Sequence, residues 1–296
     1  AQVVEQLGAL LEDLGQDLAV DSKALVVAGA RPADADTGTK TYESVDKEGN
    51  LRQVVQHWFG YKLHLLIDAR HELPLAWNVT HASAADSPEM MPLVEQWKKE
   101  HPELASRAQS ISADRGYDDG ADKARLRDKY GIVPLIPPRD CFSHTGEPYK
   151  PLDPTRHDTI YMGPHGEIVC RVDPFQSELS KTFATMQFMG FEKDRETLKF
   201  RCPAAAFGLE CKNREACRCS FRVKHGEYGR VVRVPLERDR RLFLPVHTQS
   251  RNFREGYNRR TSVERLFSRL DNLQGMEWAL VRSRSRMDLR VTLILL

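Results

Sequence analysis

The chain has 296 residues, enough to bury roughly three quarters of the surface that it exposes when unfolded, and its length fits one large domain or two ordinary ones. Its longest apolar run, residues 291–296, is far below the roughly 20 residues of a membrane span, and no secretory leader opens the sequence. We therefore expect a soluble, cytoplasmic protein with no membrane partner. The net charge of +2 hides a gradient: residues 1–200 carry 23 Lys and Arg against 32 Asp and Glu, and residues 201–296 carry 21 against 10. This division favours metal binding by the acidic part and phosphate binding by the basic part.

The beginning of the chain predicts a helix followed by a sheet. Apolar residues at helical spacing predict a helix over 1–16, and because the chain begins inside this pattern we expect an upstream region. A β-rich run over 18–27 predicts a strand with Asp21 near its centre. Asp is depleted in strands and costly when half buried, so Asp21 needs a functional reason. The polar, turn-rich segment 29–50 predicts loops, and 60–67 and 74–80 predict two further strands, in meander order with the first.

The middle of the chain alternates helices and strands. Ser87, followed by proline and an acid, predicts a helix start, and a strand over 110–113 carries Asp114 at its carboxyl end. A helix over 119–130 and a strand over 132–136 follow. We interpret Asp118 and Asp119 as helix-start acids, and Asp68, in a polar turn, as a weaker metal-ligand candidate than Asp21. Together these elements predict an α/β fold with a mixed sheet flanked by helices.

The remainder of the chain predicts an insertion and a helical end. Short β-like pieces dominate 139–250, and the helical period returns over 253–273 and again from 287. We therefore expect four segments. They are the N-terminal helix 1–16, which would be the tail of a missing upstream region, the first part of the core at 17–138, a mainly β, Cys-containing insertion at 139–250, and the helices that complete the core at 251–296.

Four cysteines lie close together in the predicted insertion. Four thiolates are a usual ligand set for structural zinc, which favours a possible structural Zn²⁺. The spacing is irregular and has no Cys-x2-Cys knuckle, so buried free cysteines remain an equal alternative. The residues are Cys202, Cys211, Cys217 and Cys219.

Three acids stand in predicted regular elements: Asp21, Asp114 and Glu264. Three carboxylates brought together would repel one another without a counterion, so such a cluster is stable chiefly when it holds metal. Divalent ions that act on phosphodiesters prefer hard, anionic oxygen ligands, and three converging carboxylates could hold two ions about 3.5–4 Å apart. The sequence therefore predicts a two-metal site for cutting nucleic acid, provided that the three acids converge.

The third acid shares its predicted helix with residues suited to DNA. Offsets of three, four and seven residues would place Tyr257, Arg260 and Glu264 on one helix face. Arg260 could then contact a phosphate, and Tyr257 could stack on a base or sugar. The alternative is an ordinary amphipathic helix in which Glu264 pairs with an arginine and Tyr257 only packs. Further DNA-binding candidates on the same segment are Arg259, Arg265 and Arg269.

Taken together, these motifs resemble insertion-sequence transposases of the DDE superfamily, which have an RNase H-like catalytic core. Asp21 in Val-Asp-Ser matches the first aspartate, Asp114 in Ala-Asp-Arg-Gly-Tyr the second, and Glu264 the glutamate of the Tyr-x2-Arg-x3-Glu-x6-Lys motif. The resemblance covers most of the chain, from about residue 17 to 273. One departure is plain: where the motif ends in Lys, this chain has Asp271.

The resemblance implies a function as well as a fold. It implies Mg²⁺ (or Mn²⁺)-dependent cleavage of DNA strands at element ends and transfer of the 3′-hydroxyl into target DNA by two bound ions. It further implies terminal inverted repeats and target DNA as partners, a homodimer in the DNA complex, a DNA-binding domain upstream, and a prokaryotic, nucleoid-associated protein. The alternative is a catalytically inactive, transposase-derived remnant that binds DNA through its basic part and its zinc-like Cys cluster.

Overall fold

A computed structural model describes residues 2–29, 31–46, 49–140, 142, 148–155, 159–172, 183–208, 211, 228–276 and 278–296. The chain divides into two compact units, the first formed by Ala1–Tyr117 with Asn258–Leu296 and the second by Asp118–Tyr257. This division does not test the expected segment boundaries after residues 16, 138 and 250, which stay predictions. No helix in the described ranges is long and apolar enough to cross a membrane.

The first unit is built on a mixed β-sheet. Its strands are β1 (Asp17–Val27), β2 (Asp36–Val45), β3 (Leu51–Asp68), β4 (Leu73–His81), β5 (Ser110–Ser112) and β14 (Trp278–Ala279). The long strand β3 pairs antiparallel with β2 through its first half and with both β1 and β4 through its second half. Strand β1 pairs in parallel with β5 at its beginning and with β14 at its end. The beginning and the end of β1 therefore have neighbours on both sides, and its middle pairs with β3.

Helices cover this sheet. They are α1 (Gln2–Leu10), α2 (Ser87–Glu100), α3 (Pro102–Ala105), α7 (Thr261–Gln274) and α8 (Arg284–Leu295). Helix α7 buries an apolar stripe at helical spacing, Val263, Leu266, Phe267 and Leu270, in one core with alternate residues of β1 and β3. Burial of each such side chain contributes about 1.5–3 kcal/mol, so the stripe fixes α7 on this face of the sheet. The predicted fold class, an RNase H-like mixed sheet flanked by helices, is confirmed.

The meander order predicted for strands 18–27, 60–67 and 74–80 is present, because β3 pairs antiparallel with both β1 and β4. One prediction about strands was wrong. Segment 29–50 was expected to be loop, but β2 runs from Asp36 to Val45 and pairs along its whole length with residues 51–60 of β3. The physical reason is that most side chains in the outer part of this strand pair are exposed on both faces. A strand without a buried face carries no apolar alternation, so its sequence resembles that of a loop.

The helix predicted over 253–273 is interrupted. Helix α6 (Arg251–Asn258) ends two residues before α7 begins, and Arg259 and Arg260 form the connecting turn. The Thr261 hydroxyl donates to the Asn258 carbonyl (2.9 Å), and the amides of the next two residues bond three residues back instead of four. These bonds close the first helix and open the second. Tyr257 and Glu264 therefore lie on different helices, so the prediction that one helix carries Tyr257, Arg260 and Glu264 was wrong.

The second unit is mainly β. Besides α4 (Gly120–Tyr130), β6 (Val133–Leu135), α5 (Pro203–Phe207) and most of α6, it contains two antiparallel sheets. The first has the strand order β10-β9-β8-β7 and the second β11-β12-β13. Their strands are β7 (Lys150–Pro151), β8 (Ile160–Met162), β9 (Ile168–Arg171), β10 (Phe183–Thr185), β11 (Gln187–Glu192), β12 (Thr197–Arg201) and β13 (Val231–Pro235). Ile160 and Ile168 of the first sheet share one core with Leu198 and Phe200 of the second.

Gly60 marks the point at which β3 changes partners. It lies opposite Asp36 of β2 on one side and Val26 of β1 on the other. Its φ is +152°, and a Cβ atom here would stand 2.2 Å from the carbonyl oxygen of Leu25. Because both the backbone angle and the close approach of β1 exclude a side chain, this position requires glycine.

We predict that Gly60→Ala lowers the free energy of unfolding by about 2–4 kcal/mol, because the added methyl group displaces the backbone of β1. Urea unfolding followed by circular dichroism measures the change. Gly49→Ala is the matched control, since Gly49 also has a positive φ (+86°) but has no atom within 4 Å of the position that a Cβ would take. It should cost only about 1 kcal/mol. Equal losses in the two variants would contradict the role assigned to the close approach.

Candidate functional site

The sheet places the two predicted aspartates at the same level of neighbouring strands. In the parallel ladder of β1 and β5, Ala19 lies opposite Ser112. Asp21 and Asp114 each follow two residues later. Neighbouring strands lie about 4.8 Å apart, so the two acids lie side by side on adjacent chain segments. Because β5 ends at Ser112, Asp114 stands just beyond the ladder, and the Asp21 side chain points to the face that α7 covers.

Arg260 connects Glu264 to Asp21. Its Nη1 lies 2.9 Å from Glu264 Oε1 and 3.3 Å from Asp21 Oδ2. Glu264 is in the first turn of α7 and Arg260 immediately precedes that helix, so the pair has the i, i+4 spacing that brings side chains together. The two carboxylates are therefore held on either side of one guanidinium group.

The electrostatic surroundings of Asp21 tie all three acids together. Burial is the main cause that raises the pKa of Asp21 to about 6, and the negative charges of Asp114 and Glu264 raise it further. The Ser22 amide, which donates to Asp21 Oδ1 (2.8 Å), and the Arg260 guanidinium oppose this shift. A largely buried carboxylate beside two other acids is stable in its ionised form only if a positive charge lies near it.

The turn after β5 fixes the side chain of Asp114, the second acid. The Gly116 amide donates to Asp114 Oδ1 (2.7 Å), and a Cβ atom on Gly116 would stand 2.7 Å from the same oxygen. Tyr117 is fully buried, and burial together with the charges of Asp21 and Asp114 raises the pKa of its phenol. A neutral phenol thus lies beside the acids, in the Asp-Arg-Gly-Tyr turn that the sequence singled out.

The donor set fits divalent metal, although the side chains are not closed around one point. Within the described ranges, no three His, Cys, Asp or Glu side chains come close enough together to hold an ion as they stand. The three acids nevertheless offer only hard, anionic oxygens, which suit Mg²⁺ or Mn²⁺. Glu264, whose side chain is 53% exposed, leaves the group open to solvent. The space between Asp21 and Glu264 contains the Arg260 guanidinium.

The remaining DNA-binding candidates are held by acids of the sheet edge or lie on α6. Arg259 forms an ion pair with Asp17, and Glu72 accepts from both Arg265 (2.6 Å) and Arg269. The three arginines remain about half exposed. Tyr257 belongs to the second unit, where its ring lies parallel to that of Phe253 at a centroid distance of 5.9 Å. Contact of these residues with DNA stays a prediction.

One functional candidate escaped the sequence analysis. Lys23 lies two residues after Asp21 on the same face of β1, and its Nζ is 2.6 Å from Asp271 Oδ2. The ammonium group also lies 5.8 Å from the centre of the Phe267 ring. Asp271, the residue that departs from the motif, thus has a cation as partner. The sequence could have indicated this residue, because residues two apart in a strand point to the same face and Lys23 follows Asp21 by two.

Two other acids have structural roles. Asp68 accepts the amides of Gly15 (2.7 Å), Arg70 (3.0 Å) and His71 (2.7 Å), so backbone donors occupy its carboxylate. The prediction that Asp118 is a helix-start acid was wrong. Its carboxylate is buried and pairs with the ammonium of Lys123 (2.5 Å) and the guanidinium of Arg241 (3.1 Å).

Its neighbour Asp119 does begin helix α4. The Asp119 carboxylate accepts the amides of Ala121 (2.8 Å) and Asp122 (3.0 Å), which is the ordinary N-cap arrangement. The helix-start interpretation of Asp119 is therefore confirmed.

The predicted zinc site lies partly outside the described residues. Cys202 and Cys211 carry thiols and form no disulfide. Cys217 and Cys219 lie outside the ranges that the structure describes. Structural zinc therefore stays a prediction.

The fold indicates the class of the protein. The mixed sheet flanked by helices is consistent with an RNase H-like transposase fold. The chain matches the model of the family described as "Transposase DDE domain" over residues 13–296, and it belongs to this family. Comparisons with curated proteins and with solved structures found no match. The resemblance to DDE transposases is thereby confirmed.

We predict that Asp21→Asn stabilises the metal-free protein at pH 7.5 by up to about 2 kcal/mol, because it removes a carboxylate whose ionisation is disfavoured by burial and by two neighbouring acids. Thermal unfolding in EDTA measures the change. Asp288→Asn, at an exposed acid of α8, is the control and should leave the melting temperature unchanged. A lower melting temperature for Asp21→Asn would show that the acids do not repel one another.

We predict that Lys23 and Asp271 interact with a coupling energy of about 1 kcal/mol, since both side chains are largely buried. A double-mutant cycle with Lys23→Met and Asp271→Leu, followed by urea unfolding, measures it. The double variant should lose less stability than the sum of the losses in the two single variants. Strict additivity would contradict the ion pair.

Proposed function

We propose that this chain is the catalytic core of a DDE transposase that cleaves DNA strands at the ends of its element and transfers the 3′-hydroxyl to target DNA. The observation that supports this most is the grouping of Asp21, Asp114 and Glu264 in one compact unit, in which Arg260 contacts Asp21 and Glu264 and the charge of Asp114 acts on Asp21. Membership of the transposase family supplies DNA as the substrate class.

Asp21, Asp114 and Glu264 would hold two Mg²⁺ or Mn²⁺ ions. When bound, such ions activate a water or a 3′-hydroxyl for attack and stabilise the leaving oxygen. The three acids differ in how they are held and in how exposed they are. Asp21 offers a carboxylate fixed in the sheet, Asp114 one fixed by the Gly116 amide, and Glu264 one at the exposed edge that DNA can reach.

The surrounding cations would bind the DNA backbone. Arg259, Arg265 and Arg269 are about half exposed and could exchange their carboxylate partners for phosphates, which bind guanidinium groups in the same geometry. Lys23 adds a cation beside Asp21. Tyr257 would contact a base or sugar. Because transposition joins two element ends, each with its terminal repeat, we propose a homodimer in the DNA complex.

One observation that could favour the alternative, an inactive DNA-binding remnant, has another explanation. The departure at Asp271 suggested degeneration of the motif, but Asp271 has an ion-pair partner in Lys23 of the first catalytic strand. A compensated charge at this position is compatible with a working site. The intact set of three acids also argues against a remnant.

We predict that Asp21→Asn, Asp114→Asn and Glu264→Gln each reduce Mg²⁺-dependent strand cleavage by roughly 10²–10³-fold, since the bound metal contributes several kcal/mol to the transition state. The substrate is a DNA duplex that carries the terminal repeats flanking the gene, and gel electrophoresis measures the cut strands. Binding of the same duplex, measured by fluorescence anisotropy, should not weaken, because each variant removes negative charge.

Asp288→Asn is the control for this experiment and should cleave at the wild-type rate. Cleavage at the wild-type rate by any of the three variants would remove that residue from the mechanism. If the wild-type protein binds the duplex but does not cleave it with any divalent ion, the remnant alternative is correct.

A further inference from the structure

Arg260 holds an unusual position for a cation. It is the residue that caps the N-terminus of α7, and its side chain makes no capping bond. Helix N-termini carry a partial positive charge and prefer Ser, Thr, Asp or Asn at the cap. Local preferences of the chain therefore do not explain an arginine here. Its long-range contact with Asp21, 239 residues away, does.

The contact between Arg260 and the acids is largely removed from water. The side chains of Arg260 and Asp21 are 19% and 18% exposed, and Nη1 reaches both Asp21 and Glu264. Ion pairs in such surroundings are screened less than surface pairs, and loss of the cation leaves two acids without compensation. The neighbouring cations Arg259 and Lys23 are paired with Asp17 and Asp271, respectively.

The same guanidinium blocks the position between two of the metal-binding candidates. Nη1 contacts Asp21 Oδ2 and Glu264 Oε1, so it occupies carboxylate oxygens with which these two residues would hold a divalent ion. The backbone of Arg260 is held by the amide of Val263, which donates to its carbonyl (3.0 Å). The side chain has several rotatable bonds, so the guanidinium can leave while the backbone stays in place.

We propose that Arg260 is the resident counterion of this site, that a divalent ion binds by displacing its guanidinium from Asp21 and Glu264, and that the displaced guanidinium then binds a DNA phosphate. This inference rests on the proposed function in that it takes the acids as metal ligands. It makes Arg260 a competitor of the metal before DNA binds and a partner of DNA afterwards. Metal binding and DNA binding should therefore strengthen each other, because both gain from the same movement.

Mn²⁺ titration by isothermal calorimetry, without DNA, tests the competition. We expect Arg260→Met to bind Mn²⁺ at least about fivefold more tightly than the wild type, in the range typical of coupled sites. Arg286→Met, at an exposed arginine of α8, is the matched control, and its Mn²⁺ affinity should equal that of the wild type. Arg260→Lys, which keeps a cation, should lie between the two and provides the test if Arg260→Met does not fold.

A second measurement follows the displaced guanidinium. Ca²⁺ should increase the affinity of the wild-type protein for a fluorescein-labelled DNA duplex, measured by anisotropy, and Arg260→Met should lose this increase. Equal or weaker Mn²⁺ binding by folded Arg260→Met overturns the counterion role, even if the proposed function holds. If the wild type binds no Mn²⁺ at millimolar concentration, the proposed function itself fails.

Discussion

The buried carboxylate of Asp21 in the middle of β1 is the constraint on which the rest of the site depends. Its side chain is only 18% exposed, and this burial raises the pKa of the residue to about 6, because burial disfavours the ionised form of a carboxyl group. A neighbouring arginine compensates the negative charge of this carboxylate. Helix α7 packs against the same face and begins with Arg260, whose guanidinium lies between Asp21 and Glu264. The same need for a cation that Arg260 meets makes the group suitable for divalent metal.

One face of β1 carries both core residues and charged residues, because alternate residues of a strand point to the same side. Ala19, Leu25 and Val27 point into the core under α7, and the other residues of β1 on that face are charged. Asp17, Asp21 and Lys23 each pair with a residue of α7 or of the turn before it. The apolar contacts fix the helix on the sheet, and the ion pairs set its position along the strand. The packing of the core and the proposed binding of substrate therefore use the same helix.

The sequence predicted some elements well because their signals are local. Asp114 follows a short strand and precedes a glycine turn, and both features were expected from neighbouring residues. Strand β2 was missed because its side chains are exposed on both faces and have no apolar alternation. The break before α7 was missed because the apolar spacing continues across it, while the change to bonds three residues back involves only a few backbone amides. Predictions failed where the decisive interaction leaves no periodic pattern in the chain.

The sequence by itself determined which acids stand out, in which kinds of element they lie, and that together they resemble a transposase site. Only the tertiary structure decided which charge faces which. Asp21 and Arg260 are 239 residues apart in the chain, and Lys23 and Asp271 are 248 apart. Such pairs form because the apolar stripe of α7 selects one position on the sheet, and this selection is a property of the packed core. The role of Asp271 therefore became clear only once the helix had been placed over β1.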